Sequence, residues 1–267
     1  MPIKDLSPRK YDKLLNKARE FAYSCGRYMI SRLGKANFCA KSDKDLVTEV
    51  DVYVENYLIK NLSRVEPSFG FLAEEENQKR PSGLYYWVID PIDGTNNYAH
   101  TYPFFCTSIA LVEGKRPIMG VIYDPVRDEM FWAGRDEGAF LNKRQIYPSK
   151  ITRLGDALLC TGFAYRFREL KDNNLDNFGK FLYKTQGVRR DGSAALDLCY
   201  VACGRLDGFW EMHLKPWDTA AGAYILRQAG GRITKFSGGR FDIYFPEILA
   251  SNGKIHKQML DVLRGRK

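Results

Sequence analysis

The sequence predicts an α+β front half, residues 1–150, and an α/β back half, residues 151–267, in one compact unit. Three observations carry that expectation. Two amphipathic helical runs open the chain. Apolar runs broken by Glu-Gly, Asp-Pro and Asp-Glu-Gly turns follow. Beyond about residue 150, strand-like and helix-like segments alternate. No linker, repeat or low-complexity tract divides the halves.

The first helix is expected after Ser7-Pro8, a capping serine followed by proline at the first helical position. Tyr11, Leu14, Leu15, Ala18, Phe21, Ala22, Cys25 and Met29 recur at helical spacing, and Gly34 offers a stop. A second helix is expected from near Thr48, with Val50, Val54, Tyr57, Leu58 and Leu62 on its apolar face. Thr48-Glu-Val-Asp51 fits a capping box at its start. "FGFLAEEE" and "LYYWVIDPIDG" read as strands, and "FFCTSIALVEG", "RPIMGVIYDP" and "DEMFWAGRDEGAFLN" as an antiparallel meander. In the back half, "DALLCTGFA", "LDGFWEM", "GGRITKF" and "EILAS" read as strands. "NNLDNFGKFLYK", "SAALDLCYVACG", "WDTAAGAYILRQAG" and a closing segment from about Lys254 read as helices.

The net charge of +9 favours anionic partners such as phosphate esters, nucleic acid or acidic surfaces. The basic residues are dispersed, apart from Arg189–Arg190 and the terminal "RGRK", and no zinc-finger or RNA-binding signature accompanies them. "MPIKDLSPRK" lacks the apolar core of a secretory signal, and no apolar stretch is long enough to span a membrane. The expectation is a cytoplasmic protein whose six cysteines are mostly buried free thiols. With three histidines and no C-x-x-C, a structural zinc site is not supported.

The chemistry concentrates in "WVIDPIDGTNNYAH", residues 87–100. A buried strand is expected to deliver Asp90 at its end, with Pro91 leaving the ladder and Asp93 on the turn. Gly94 would let the backbone approach a ligand, and a helix from about Thr95 would aim free N–H groups at an anion. Two carboxylates beside an anion cradle repel their ligand unless cations lie between, and Mg²⁺ suits carboxylates and phosphate oxygens together. Glu74 and Glu75 follow another strand, and Asp218 opens a helix in "PWDTAAG". Each also has a plain reading: Asp93 as a helix cap, Glu74–Glu76 as a solvated run, Asp218 as a helix-start acid. Together they suggest a multi-metal phosphoryl site.

"WVIDPIDGTNNYAH" and "WDTAAG" resemble the two signatures of the inositol monophosphatase family, in the superfamily of Mg²⁺-dependent, Li⁺-sensitive phosphatases. The likeness extends to "KSDKDLVTEVD", "FLAEEE", "YPFFCTSIAL" and "GSAALDLCYVACGRLDGFWEMHLKPWD". It implies a layered αβαβα sandwich of the inositol monophosphatase and fructose-1,6-bisphosphatase type. It implies two or three Mg²⁺ ions: one held by Glu74, Asp90 and the Ile92 carbonyl, one by Asp90, Asp93 and Asp218, and a weaker third near Glu74. Gly94 and Thr95 would donate to the phosphate. Thr95, bonded to Asp51, would orient the attacking water. Ser193, Ala194 and Glu211 would touch the substrate ring, and Glu75 and Lys41 would support the site. Read without the family, Ser193 is a helix cap and Glu211 a strand-end surface acid.

The expected activity is hydrolysis of inositol monophosphate, with fructose 1,6-bisphosphate, adenosine 3′,5′-bisphosphate or histidinol phosphate as alternative substrates. The expected assembly is a homodimer, with no membrane partner. A role of a different class, binding RNA or the transcription machinery, fits the positive charge, but the intact set of acids argues against a purely non-catalytic protein.

Overall fold

Helix α1 (Pro8–Arg32) starts where Ser7 and Pro8 place it, the Ser7 hydroxyl accepting from the Lys10 amide at 3.3 Å. In the computed structural model, which describes residues 6–36, 38–42, 45–135, 137–164 and 167–265, the predicted elements follow in order. The side chains of 38–42, 45–47 and 167 lie outside the described set, and Lys41 is among them. A hairpin of β1 (Phe38–Ser42) and β2 (Asp45–Thr48), absent from the sequence reading, precedes α2 (Glu49–Val65). The α2 cap is the predicted box: the Thr48 hydroxyl accepts from the Val50 and Asp51 amides, and Asp51 accepts from the Thr48 amide at 2.8 Å.

A seven-stranded sheet comes next: β3 (Gly70–Ala73), β4 (Tyr85–Asp93), β5 (Cys106–Glu113), β6 (Arg116–Asp124), β7 (Glu129–Ala133), β8 (Ala139–Leu141) and β9 (Arg144–Ile146). Strands β4 to β9 form the antiparallel meander, and β3 lies parallel to β4 at the edge. Successive side chains of β4 face opposite ways. Trp87 and Ile89 join the core under α1 and α2, whereas Tyr86 and Val88 join the core on the other face. Both faces are covered, so the strand reads as an unbroken apolar run. The five-residue α3 (Thr95–Ala99) follows β4.

The back half contributes β10 (Leu158–Thr161), α4 (Leu175–Leu182), β11 (Gly187–Arg189), α5 (Ala194–Ala202), β12 (Gly208–Met212), α6 (Pro216–Gln228), β13 (Arg232–Thr234), β14 (Glu247–Ser251) and α7 (His256–Leu263). Its sheet has the order β11-β10-β12-β14-β13. The β10 pairings are parallel and those of β14 antiparallel, because no helix separates β13 from β14 to carry the chain back across the sheet.

Helices α5 and α6 pack between the two sheets, α6 against β4, β5 and β6 and α5 against β10, β12 and β14. Helices α1 and α2 cover the outer face of the first sheet, and α4 and α7 contact β11 and β14 of the second. The result is the layered αβαβα arrangement. Gly120 in β6 permits a close approach of α6: a Cβ there would lie 2.6 Å from the Ala221 carbonyl oxygen. Among the described residues, five cysteines are free thiols, four of them buried, and no helix is long and apolar enough to cross a membrane.

Candidate active site

The site is built where β4 leaves its sheet. Asp90 pairs opposite Ser108 and Asp93 opposite Cys106, so β4 carries one residue more than β5 across this step. Pro91, with no N–H for the ladder, sits in that bulge. The strand therefore ends at Asp93, not at Asp90 as the sequence suggested, and the bulge turns both acids toward one cavity. Gly94 then adopts φ +97°, and a Cβ there would lie 2.9 Å from the Phe104 carbonyl oxygen. Helix α3 is too short to carry much of a dipole, so an anion at this turn would depend on individual amides.

A cavity of about 790 Å³ gathers Glu74, Asp90, Ile92, Asp93, Gly94, Thr95, Ser193, Ala194, Glu211 and Asp218 from both halves of the sequence. Asp90 is buried, and its Oδ1 has no hydrogen-bond partner. Burial first, then the negative charges of Glu74, Asp93 and Asp218, drive its carboxyl well above the ordinary range, and a hydrogen bond with the Glu74 side chain adds to this. Burial pushes Asp93 up to about 6 even though Ser193 and Ala195 favour its ionised form. The Asp93 Oδ2 accepts from the Ser193 hydroxyl at 2.7 Å and the Ala195 amide at 2.6 Å. Ser193 also caps α5, its hydroxyl accepting from the Leu196 amide at 3.3 Å, so the capping and site readings hold together. Asp218 accepts from the Lys215 amide at 2.6 Å, as its helix-start reading requires, and lines the same cavity.

Thr95 is buried at the floor. Its hydroxyl lies 2.8 Å from the Ile92 carbonyl oxygen and 3.1 Å from Asp51 Oδ1. Asp51 is buried behind it and does not line the cavity. Glu211 is a buried strand residue rather than a surface acid. Burial and the charge of Asp218 raise it to about 8, with Arg190 opposing. Glu75 does not line the cavity; its amide and that of Glu76 donate to Glu55, which thereby fixes the turn carrying Glu74.

Sequence reasoning missed three residues here. Glu55 looks like any helix-surface acid, yet it is buried. Arg190 was read as part of a basic pair, but it lines the cavity and favours the ionised forms of Asp93 and Glu211. Asp197 in α5 also lines the cavity, with Oδ1 unpartnered. Its one sequence signal is an acid in the otherwise apolar "SAALDLCYVA".

Among the described residues, no group of three or more His, Cys, Asp or Glu side chains is arranged to hold an ion as it stands. Like charges at low dielectric repel one another, and Asp93 and Asp218 each turn one oxygen to a backbone amide. The donor chemistry nevertheless suits hard divalent cations: crowded carboxylates, one with an unsatisfied buried oxygen, beside the Ile92 carbonyl.

The model of the inositol monophosphatase family matches residues 10–266. An inositol-1-monophosphatase of Synechocystis sp. is 42% identical over 260 residues, covering 96% of this chain and 91% of that protein. A Nus factor SuhB of Xylella fastidiosa is 40% identical over 240 residues, covering 88% and 87%. The solved inositol monophosphatase from Anabaena (Nostoc) sp. superposes with a TM-score of 0.88 at 41% identity, covering 96% of this chain and 97% of that one. The acids that meet in the cavity thus lie on a fold and a sequence shared over nearly the whole length, and the chain belongs to the inositol monophosphatase family as a phosphatase.

Proposed function

We propose that the enzyme hydrolyses inositol monophosphate with Mg²⁺. The buried, unsatisfied oxygen of Asp90 amid other acids carries this reading, because such a group is stable as a carboxylate only beside a cation. Glu74, Asp90 and the Ile92 carbonyl would hold one ion and Asp90, Asp93 and Asp218 a second, with a third near Glu74. Such ions supply Lewis acidity for the attacking water and for the departing alkoxide.

The chain's own residues set the rest. The Thr95 hydroxyl has one proton and two nearby acceptors. When it donates to Asp51, its lone pairs are available to orient a water, and it can take the water's proton as its own passes to Asp51. The Gly94 and Thr95 amides hold the phosphoryl oxygens. Ser193, Ala194 and Glu211 face the polyol. In this reading the enzyme is a cytoplasmic homodimer acting on a small phosphorylated polyol or sugar.

Phosphate release should be measured with Mg²⁺, with and without Li⁺, across inositol monophosphate, fructose 1,6-bisphosphate, adenosine 3′,5′-bisphosphate and histidinol phosphate. The highest kcat/KM is expected for inositol monophosphate; a higher value for a bisphosphate would overturn the substrate assignment. Relatives named Nus factor SuhB, together with the +9 charge, favour a second reading as an RNA or transcription-machinery partner. Tight RNA binding with a steep salt dependence would support that role.

A further inference from the structure

A second cavity, of about 390 Å³, lies between the start of β6, the end of α6 and the segment joining β13 to β14. Lys115, Arg116, Arg227, Lys235 and Arg240 line it, with Asp242 as the one acid. Five cations less one carboxylate leave a formal charge of +4 around a small concavity. Its floor is apolar, with Pro117 and Phe241 buried. It shares no lining residue with the catalytic cavity.

The fold draws these charges together. The bonds from the Lys235 amide to the Gly239 carbonyl (3.0 Å) and from the Gly238 amide to the Lys235 carbonyl (2.8 Å) tighten the turn. A β-bridge between Thr234 and Arg240 closes it, and both Lys235 and Arg240 line the cavity. The Arg227 guanidinium lies 5.9 Å from the Phe241 ring centroid, held over the cavity floor. Asp242 is engaged by Lys115 at 3.6 Å. Among the described residues, Arg116, Arg227, Lys235 and Arg240 pair with no carboxylate. Glu247 feels Lys235, but its Oε1 is occupied by the Phe236 amide at 2.9 Å. Burial, then the like charges of Arg240 and Arg116, hold Arg227 below the ordinary guanidinium range. Surface cations ordinarily spread apart; four without counter-charges around one hollow repel one another until an anion enters.

We propose that this cavity binds a small molecule carrying two or more phosphate groups, at a site separate from catalysis. Guanidinium forks match phosphate oxygens bidentately, and several around one hollow favour a ligand of multiple negative charge over a monoanion. The volume is at the low end for small-ligand sites and suits a compact bisphosphate or diphosphate better than a polymer strand. Lacking the carboxylate set of the first cavity, it binds without hydrolysing. Its lining runs through Asp242 and Ile243 to Tyr244, which lines the catalytic cavity and whose hydroxyl lies 2.7 Å from that of Tyr86.

The test is calorimetric titration of the full chain with inorganic pyrophosphate, without divalent ions, at fixed ionic strength. Native protein, the Arg227→Gln/Arg240→Gln double variant and Arg116→Gln are compared, with thermal melts and phosphatase turnover confirming that each is folded. One-to-one binding is expected, weakened at least about tenfold in the double variant and severalfold in Arg116→Gln, with inorganic phosphate binding at least about tenfold more weakly than pyrophosphate. Unchanged affinity in the folded variants overturns the proposal. So does sulfate binding as tightly as pyrophosphate, which would mean diffuse attraction. So does a single-stranded RNA oligonucleotide binding more tightly than pyrophosphate through the same arginines, which would make the occupant a nucleic acid.

Discussion

Asp90 holds a buried carboxylate oxygen without a hydrogen-bond partner and three acidic neighbours that raise its proton affinity. Under the proposed ion site, such a residue serves activity more than folding. Asp90→Asn is expected to lower turnover with Mg²⁺ by at least about a thousandfold, while the melting temperature of the metal-free protein holds or rises. Near-normal phosphate release from that variant would contradict the assignment. His256 shows the opposite balance. It is fully buried between the Thr234 and Ser251 hydroxyls, each at 2.9 Å, and burial, then Arg232, lowers it to about 4. The unfolded imidazole titrates near about 6.5, so the unfolded chain takes up the proton first as pH falls. This contribution to stability is full above about 6.5 and is lost as pH drops through about 4. Urea midpoints at pH 7 and pH 5 should therefore separate more in the native protein than in His256→Gln; an equal separation would remove the role given to this residue.

Strand β4 and the turn after it show how an element makes a site. Gly94 occupies left-handed backbone with Phe104 close by, so Gly94→Ala is expected to cost about 1–3 kcal/mol of stability and most of the turnover, read by thermal melts and kcat. The strand itself was legible, because an apolar run ending in acids has few other meanings. Its end point was not: a proline bulge carries β4 on to Asp93, and pairing across a bulge leaves no mark in local composition. The β1–β2 hairpin was missed because "KSDKD" lacks a two-residue turn signal and its strands are not apolar runs. In the back half the alternation located four of the five strands but not the three-residue β11, nor that β14 runs antiparallel to its neighbours, since direction depends on which connections cross the sheet. Asp90, Asp93 and Asp218 stand beside recognisable turns. Arg190, Asp197 and Glu55 acquire their roles only through burial against distant segments, which one sequence does not display.

At the scale of the whole molecule, the acids come from different layers and their repulsion is a shared liability. Without divalent ions, the folded state holds protons on Asp93 up to about 6 and on Glu211 up to about 8, above the ordinary range for such groups. Their contribution to stability is present at low pH and is lost as pH rises through those values. Melting temperature in EDTA should thus fall as pH rises from about 4 to about 8, and Mg²⁺ should restore it in a concentration-dependent way. A pH-independent melt with no response to Mg²⁺ would argue against the proposed ion site.

The clasp of Asp93 by Ser193 and Ala195 spans a hundred residues of chain. Consider a backbone severed at Tyr147-Pro148, in the coil after β9. One fragment would keep Glu74, Asp90 and Asp93, and the other Glu211 and Asp218. Each should be inert toward phosphate esters, and mixing should regenerate hydrolysis as the fragments dock; hydrolysis by the first fragment alone would show Asp218 to be dispensable. Catalysis in this enzyme would then report directly on whether its two sheets have found each other.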